Sequence, residues 1–267
     1  MVFPLAARPF CLVRGVVSGD AGIRSRMSSQ SHIADVWILE HHTLAPADIA
    51  RCNAAISPAE KARRRQLRFE QDRDSYRAAH ALARLALSWC ERAVPPHAWV
   101  FEETSHGRPE IAARCGFPQL RFNISHTRHL VACIVTRELD CGVDVEVIDR
   151  CSDLHDHARS ALAPAELARI AGASNAERAT LLCRYWTLKE AYAKALGLGM
   201  SLGFDEIAFE LHDGYGRLQT HSDEWHFEQW SPTPTHIVAT AVRARGPVRL
   251  VRHWGIPRNI FTQNKLS

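Results

Sequence analysis

Hydrophobic and polar positions alternate with a period of two in several stretches, which predicts strands whose successive side chains take opposite faces. In "IADVWILE" (33–40), Ala34, Val36 and Ile38 alternate with Trp37 and Leu39. "AWVFEET" (98–104) and "CGVDVEVI" (141–148) are further strand candidates, and "SHGRPEI" (105–111) is a turn. The C-terminal part returns to strands in "FDEIAFELH", "EWHFEQWSP", "HIVATAVRA" and "PVRLVRHW". Helical patterns lie between. Ser57-Pro58 opens a helix with Ser as N-cap, Pro at the first position and Glu60 closing a capping box. "DSYRAAHALARLALSWCERA" is a second helix, ended by Pro95-Pro96. "DLHDHARSALAPAELARIAG" and "AERATLLCRYWTLKEAYAKALGLG" are helical, and "GLGM" (197–200) follows a helix as its C-cap rather than a strand as a phosphate cradle. The order lacks a strict βαβ rhythm, so the fold class is α+β.

Composition narrows the function classes. The 267 residues are 46% hydrophobic and 23% charged, which fits a globular protein of one large domain or two packed halves. No apolar run approaches the ~20 residues of a membrane helix. A net charge of +4 suits an anionic ligand without demanding one. "KARRRQLRFEQDRDSYR" is basic with interleaved aromatics, but it also holds Glu70, Asp72 and Asp74, which argues against nucleic-acid binding. No G-x-x-x-x-G-K-[ST] loop is present, which disfavours a nucleotide kinase of that type. None of the eight cysteines forms a C-x-x-C pair, and several lie in apolar stretches, so they read as buried thiols in a reducing cytoplasm. "HDH" at 155–157 has no third ligand nearby in sequence and reads as surface. Residues 1–30 carry four Arg and one acidic residue, with apolar runs broken by proline. They read as a disordered or surplus leader with Met27 as an alternative start; a transit-like segment is the other reading.

Two motifs carry chemistry. On a strand, Asp144 and Glu146 share one face about 7 Å apart, while Val143 and Val145 point into the core. Two such carboxylates repel unless a cation lies between them, and Mg²⁺ takes carboxylate and phosphate oxygens together. The alternative is a polar strand face open to water. In "WTLKEAYAK" (186–194), Trp186, Glu190 and Lys194 recur every four residues on one helical face. By itself that is a surface ion pair beside a core tryptophan. Brought together, three carboxylates and a lysine make a site for Mg²⁺ and a pyrophosphate.

The pairing of "GVDVE" with "WTLKEAYAK" resembles the signature of the 4′-phosphopantetheinyl transferases, of the broad-specificity type that activates nonribosomal peptide and polyketide synthases. The resemblance extends upstream through "ISPAEKARRRQLRF", "DRDSYRAAHALAR", "HGRPEI" and "FNISHT" and covers residues 33 to 210. It implies a pseudo-dimer of two similar α+β halves, 31–140 and 141–255, with coenzyme A between them and a tail at 256–267. It further implies a cytoplasmic monomer with no nucleic-acid or membrane partner. Its implied coenzyme A contacts are Lys61, Arg65, Arg77 (at the 3′-phosphate), Arg108 and Pro109 (at the nucleotide), Ser125, His126, Asp144, Glu190 and Lys194. Asp144, Glu146 and Glu190 would hold Mg²⁺ or Mn²⁺. Glu190, Lys194, Lys189 and His126 form the implied catalytic set, with Glu190 or a water it holds as base, Lys194 neutralising the leaving group and Lys189 in the same role. The acceptor is a serine of an acyl or peptidyl carrier protein. The chain departs from the family at Ala161 and Leu162, in the carrier-facing stretch where aromatics are frequent, and at Thr187, where serine is frequent. A catalytically dead carrier-binding protein would lack a metal ligand or the lysine, and neither is missing.

Overall fold

The computed structural model describes residues 31–149, 160–219 and 224–258, in an α+β arrangement. Elements in chain order are β1 (His32–Glu40), α1 (Pro46–Ala55), α2 (Pro58–Gln66), α3 (Glu70–Cys90), β2 (Phe101–Glu103), β3 (Pro109–Ile111), β4 (Leu120–His126), β5 (Leu130–Arg137) and β6 (Cys141–Val147). There follow α4 (Pro164–Ala171), α5 (Asn175–Leu196), β7 (Phe209–Leu211), β8 (Gly216–Leu218), β9 (Trp225–Thr233), β10 (His236–Arg243) and β11 (Val248–Trp254). The leader at 1–30 and the "HDH" stretch lie outside the described residues.

The first of the two larger sheets has the order β11-β1-β5-β4 and the second β6-β10-β9, while β2-β3 and β7-β8 form two-stranded sheets. The period-two patterns decide what each face meets. From β1, Trp37 and Leu39 join Leu82, Ala86, Phe122 and Val135 in a core between the first sheet and α3. The alternate residues Ala34, Val36 and Ile38 meet Val143, Val145 and Val238 in a central core between the two sheets. On the far side of the second sheet, Ile237, Ala239 and Ala241 pack with Cys183, Leu188 and Ala191 of α5. The layers therefore run α3, first sheet, second sheet, α5. Dry apolar cores on both faces of each sheet are the main source of stability.

The sheet edges β4 and β6 meet through side chains. Asn123 Oδ1 accepts from the Val143 N–H (3.0 Å), Ser125 Oγ donates to Asp144 Oδ1 (2.8 Å) and Thr127 Oγ1 donates to Glu146 Oε2 (3.3 Å). The end of the chain returns to the first sheet, where β11 pairs parallel to β1 with Val36 opposite Arg252. Several segments differ from the sequence expectation: Pro109–Ile111, inside an expected turn, is strand β3, and residues 161–163, inside an expected helix, are not helical before α4 begins. Helix α1 has a weak apolar stripe, and only Cys52 and Ala55 are buried along it, so periodicity did not mark it. In "FDEIAFELH", Phe204–Glu206 forms a 3-10 turn before the short β7. The carbonyls of Phe204 and Ile207 turn inward to accept from Lys189 instead of a neighbouring strand.

Candidate active site

Helix α5 begins at a capping box in which Glu177 accepts from the Ser174 N–H (3.2 Å), and it ends at Gly197 in the left-handed region (φ 72°). Strand β6 lies hard against it. A Cβ added to Gly142 would stand 2.0 Å from the Ala191 carbonyl oxygen, so only glycine allows this approach. With β6 that close, Asp144 reaches the last turn of α5. Lys194 Nζ lies 2.5 Å from Asp144 Oδ1 and 3.0 Å from Ser125 Oγ, and Ser125 donates to the same carboxylate oxygen. The three side chains come from α5, β6 and β4, and they meet at the seam of the two sheets.

Asp144 is 3% exposed, and its second oxygen, Oδ2, is buried without a hydrogen-bond partner. Glu190, one turn before Lys194, has its carboxyl pKa raised, first by burial and then by the negative charge of Asp144, with Lys194 opposing. Asp144 and Glu190 thus feel each other, while Glu146 is engaged by Thr127. Among the described residues no three His, Cys, Asp or Glu side chains are grouped tightly enough to hold a metal ion as they stand. The donor chemistry still fits a hard divalent cation: a bare buried carboxylate oxygen beside a second carboxylate whose charge it opposes is what such an ion satisfies.

Other predicted residues take different places. Arg77 is 6% exposed, ion-paired with Asp74 (3.0 Å), and its Nε is buried without a partner. Lys61 is half-buried and Arg65 exposed, both on α2. His126 is exposed at the end of β4, and Pro109 opens β3 half-buried. Arg108 was expected on the nucleotide, but its Nη1 donates to the carbonyls of Lys194 (2.9 Å) and Ala195 (3.0 Å). A cation on those orphan carbonyls opposes the negative end of the helix dipole, which is why the guanidinium settles there.

Lys189 requires a correction. It is 0% exposed, and its ammonium donates to the carbonyls of Ala161, Phe204 and Ile207 and pairs with Glu166 Oε2 (2.6 Å). Four acceptors exhaust its three protons, so it cannot reach a substrate phosphate. Glu166 also accepts from the Ala163 and Phe209 N–H groups. Ala161 and Leu162, expected in a carrier-facing stretch, have buried side chains. Thr187 is buried, donating to Cys183 and accepting from Gln229. Thr127, Glu166 and Gly142 were not singled out from the sequence. Thr127 follows Ser125 by two, one residue past the end of β4, so continuing the strand's period would have placed it beside Glu146. The described cysteines are free thiols, and Cys52, Cys133, Cys141 and Cys183 are buried.

Residues 140–242 match the 4′-phosphopantetheinyl transferase superfamily, and residues 43–138 match the family described as 4′-phosphopantetheinyl transferase, N-terminal. The chain is 30% identical to the 4′-phosphopantetheinyl transferase HetI of a Nostoc species over 72% of this chain and 81% of that protein. It is 31% identical to a phosphopantetheinyl transferase of a Thraustochytrium species over 68% of this chain and 67% of that one. A crystal structure of a holo-(acyl-carrier-protein) synthase from Bacillus anthracis in complex with CoA (3′,5′-ADP) covers 40% of this chain and 96% of its own, at 23% identity and a TM-score of 0.34. The family matches and the named relatives define a transferase. More particularly, the chain belongs to the 4′-phosphopantetheinyl transferase family.

Proposed function

We propose that this protein transfers the 4′-phosphopantetheine moiety of coenzyme A to a serine hydroxyl of an apo-carrier protein, releasing adenosine 3′,5′-bisphosphate. The observation that carries the reading is the buried seam where Lys194, Ser125 and Asp144 meet beside Glu190. Asp144 and Glu190, with Glu146 alongside, would hold Mg²⁺ or Mn²⁺. A divalent ion bound there supplies charge neutralisation at the pyrophosphate.

The remaining steps belong to the chain's own residues. Lys194 presents an ammonium to the bridging region of the pyrophosphate. It offsets the charge that grows on the departing adenosine 3′,5′-bisphosphate as the phosphorus–oxygen bond breaks. Glu190, whose raised pKa makes it a better proton acceptor than an ordinary carboxylate, takes the proton from the carrier serine as its oxygen bonds to the β-phosphorus. Ser125 holds Lys194 and Asp144 in register. Much of the rate enhancement is positioning and electrostatics.

Each half offers a long helix packed on antiparallel strands, α3 on β4–β5 and α5 on β6–β10, which supports the pseudo-dimer reading with halves at 31–140 and 141–255. Coenzyme A would lie across their seam. We read the protein as a monomer acting in the cytoplasm. No helix among the described residues is long and apolar enough to cross a membrane, and the free thiols suit a reducing compartment.

The test is incubation of the purified protein with coenzyme A, Mg²⁺ and a panel of apo-carriers, followed by intact-mass measurement. A gain of one phosphopantetheine arm, lost on Glu190→Gln, supports the reading and names the carrier class. No gain on any carrier refutes transfer, and no binding of coenzyme A refutes the whole assignment.

A further inference from the structure

Away from the seam, three histidines gather where β1 ends. After Glu40 the chain makes a 3-10 turn, His41–Thr43, and the His41 N–H donates to the His129 carbonyl (3.1 Å) in the β4–β5 turn. His129 sits in the left-handed region (φ 70°), which brings its ring over this turn. Ring centroids are 4.4 Å apart for His42 and His129, 6.3 Å for His41 and His129, and 6.5 Å for His41 and His42. His41 is 9% exposed, and its Nε2 is buried without a partner. The turn packs against α3, where Arg77 likewise leaves its Nε buried and unpartnered. Buried polar nitrogens without a partner are unfavourable, so two of them on elements that pack together point to a ligand that accepts from both.

Charge narrows that acceptor. Asp74 on α3 is the carboxylate that acts on His41, and it is already paired with Arg77 and with Arg64 of α2. The other groups that act on the histidines are His126 from β4, Arg128 from the β4–β5 turn, and His236 from β10, which acts on His129. Burial first, then the charges of His129 and His42, hold the His41 imidazole down to about 4. His41 is therefore neutral near neutral pH. A phosphate dianion beside it would reverse the local field and favour the imidazolium.

We infer that His41, supported by His42 and His129, joins Arg77 in a phosphate-monoester subsite that takes the 3′-phosphate of coenzyme A and couples its binding to proton uptake. The inference rests on the coenzyme A reading above. Family resemblance implies Arg77 for that phosphate but none of these three histidines.

The test is isothermal titration of the full-length protein with coenzyme A and with 3′-dephospho-coenzyme A, from about pH 8 to about pH 6, in buffers of different ionisation enthalpy. Coenzyme A should bind with net proton uptake and tighten as the pH falls. His41→Asn should weaken coenzyme A by about tenfold, as one pKa unit of linkage gives, and reduce the uptake. Its affinity for 3′-dephospho-coenzyme A should change little, and that unchanged affinity also shows that the variant is folded. If wild type binds coenzyme A but His41→Asn weakens both nucleotides equally, or leaves the uptake intact, the histidine subsite is wrong while the transferase reading stands. If wild type binds neither nucleotide, both readings fall.

Discussion

Replacing Lys189 by methionine separates a structural lysine from a catalytic one. The side chain keeps similar length and apolar bulk but loses the ammonium. In the native protein burial pulls the pKa of that ammonium down while Glu166 holds it up. Its loss strands Glu166, 1% exposed, with only the Ala163 and Phe209 N–H groups for partners. It also removes the donor that satisfies the carbonyls of Ala161, Phe204 and Ile207. Breaking one side of a buried ion pair costs about 3–5 kcal/mol. At roughly 2–4 °C per kcal/mol for a chain of this size, the melting temperature should fall by about 10 °C. Circular dichroism melts measure this directly. The double variant Lys189→Met/Glu166→Gln should recover part of the loss, because no uncompensated charge then stays buried. Transfer activity measured well below the melting point should survive in proportion to the folded fraction. A Lys189→Met protein that melts like wild type yet has lost transfer would refute this reasoning and return Lys189 to the substrate.

The neighbouring lysine should behave oppositely: Lys194→Ala should lower kcat by about 10²–10³ with a near-native melt, measured by the mass assay on a responsive carrier. Gly142→Ala drives a Cβ to 2.0 Å from the Ala191 oxygen, so it should prise β6 from α5 and leave little soluble protein, and a well-folded Gly142→Ala would contradict the packing. Arg108→Ala removes two hydrogen bonds from the end of α5. It should cost about 2 kcal/mol in denaturant unfolding and lower kcat through Lys194, with KM for coenzyme A little changed; a raised KM with native stability would put Arg108 on the nucleotide instead. Burial pushes the Glu60 carboxyl up, but hydrogen bonds from His80, Arg84 and the Ser57 N–H overcome this and bring it down to about 2. Its folded pKa is depressed, so it stabilises the fold above the ordinary carboxylate range. About 3 kcal/mol should disappear as the pH falls toward 2, and urea midpoints across this range test it, with Glu60→Gln flattening the profile.

Side-chain direction was legible in the one-dimensional pattern. The alternation in β1 and β6 correctly assigned Val36 and Val143 to one face and Trp37 and Asp144 to others, because a strand turns every second residue the same way. The Ser57 capping box and the Gly197 helix end were equally local, since each is closed by groups within a turn of one another. The partners of those side chains were not legible. Lys189 and Lys194 look equivalent in "WTLKEAYAK", yet five residues along a helix rotate one about 140° from the other. One therefore enters a cage of carbonyls from the segments at 161 and 204–207, and the other faces Asp144 at the seam. Arg108 follows the same logic: nothing near it in the chain announces the end of α5, 86 residues away. Backbone period sets where a side chain points, and that information is local. What it meets there depends on which distant elements bury their apolar faces together, and only the packed layers of α3, the two sheets and α5 decide that.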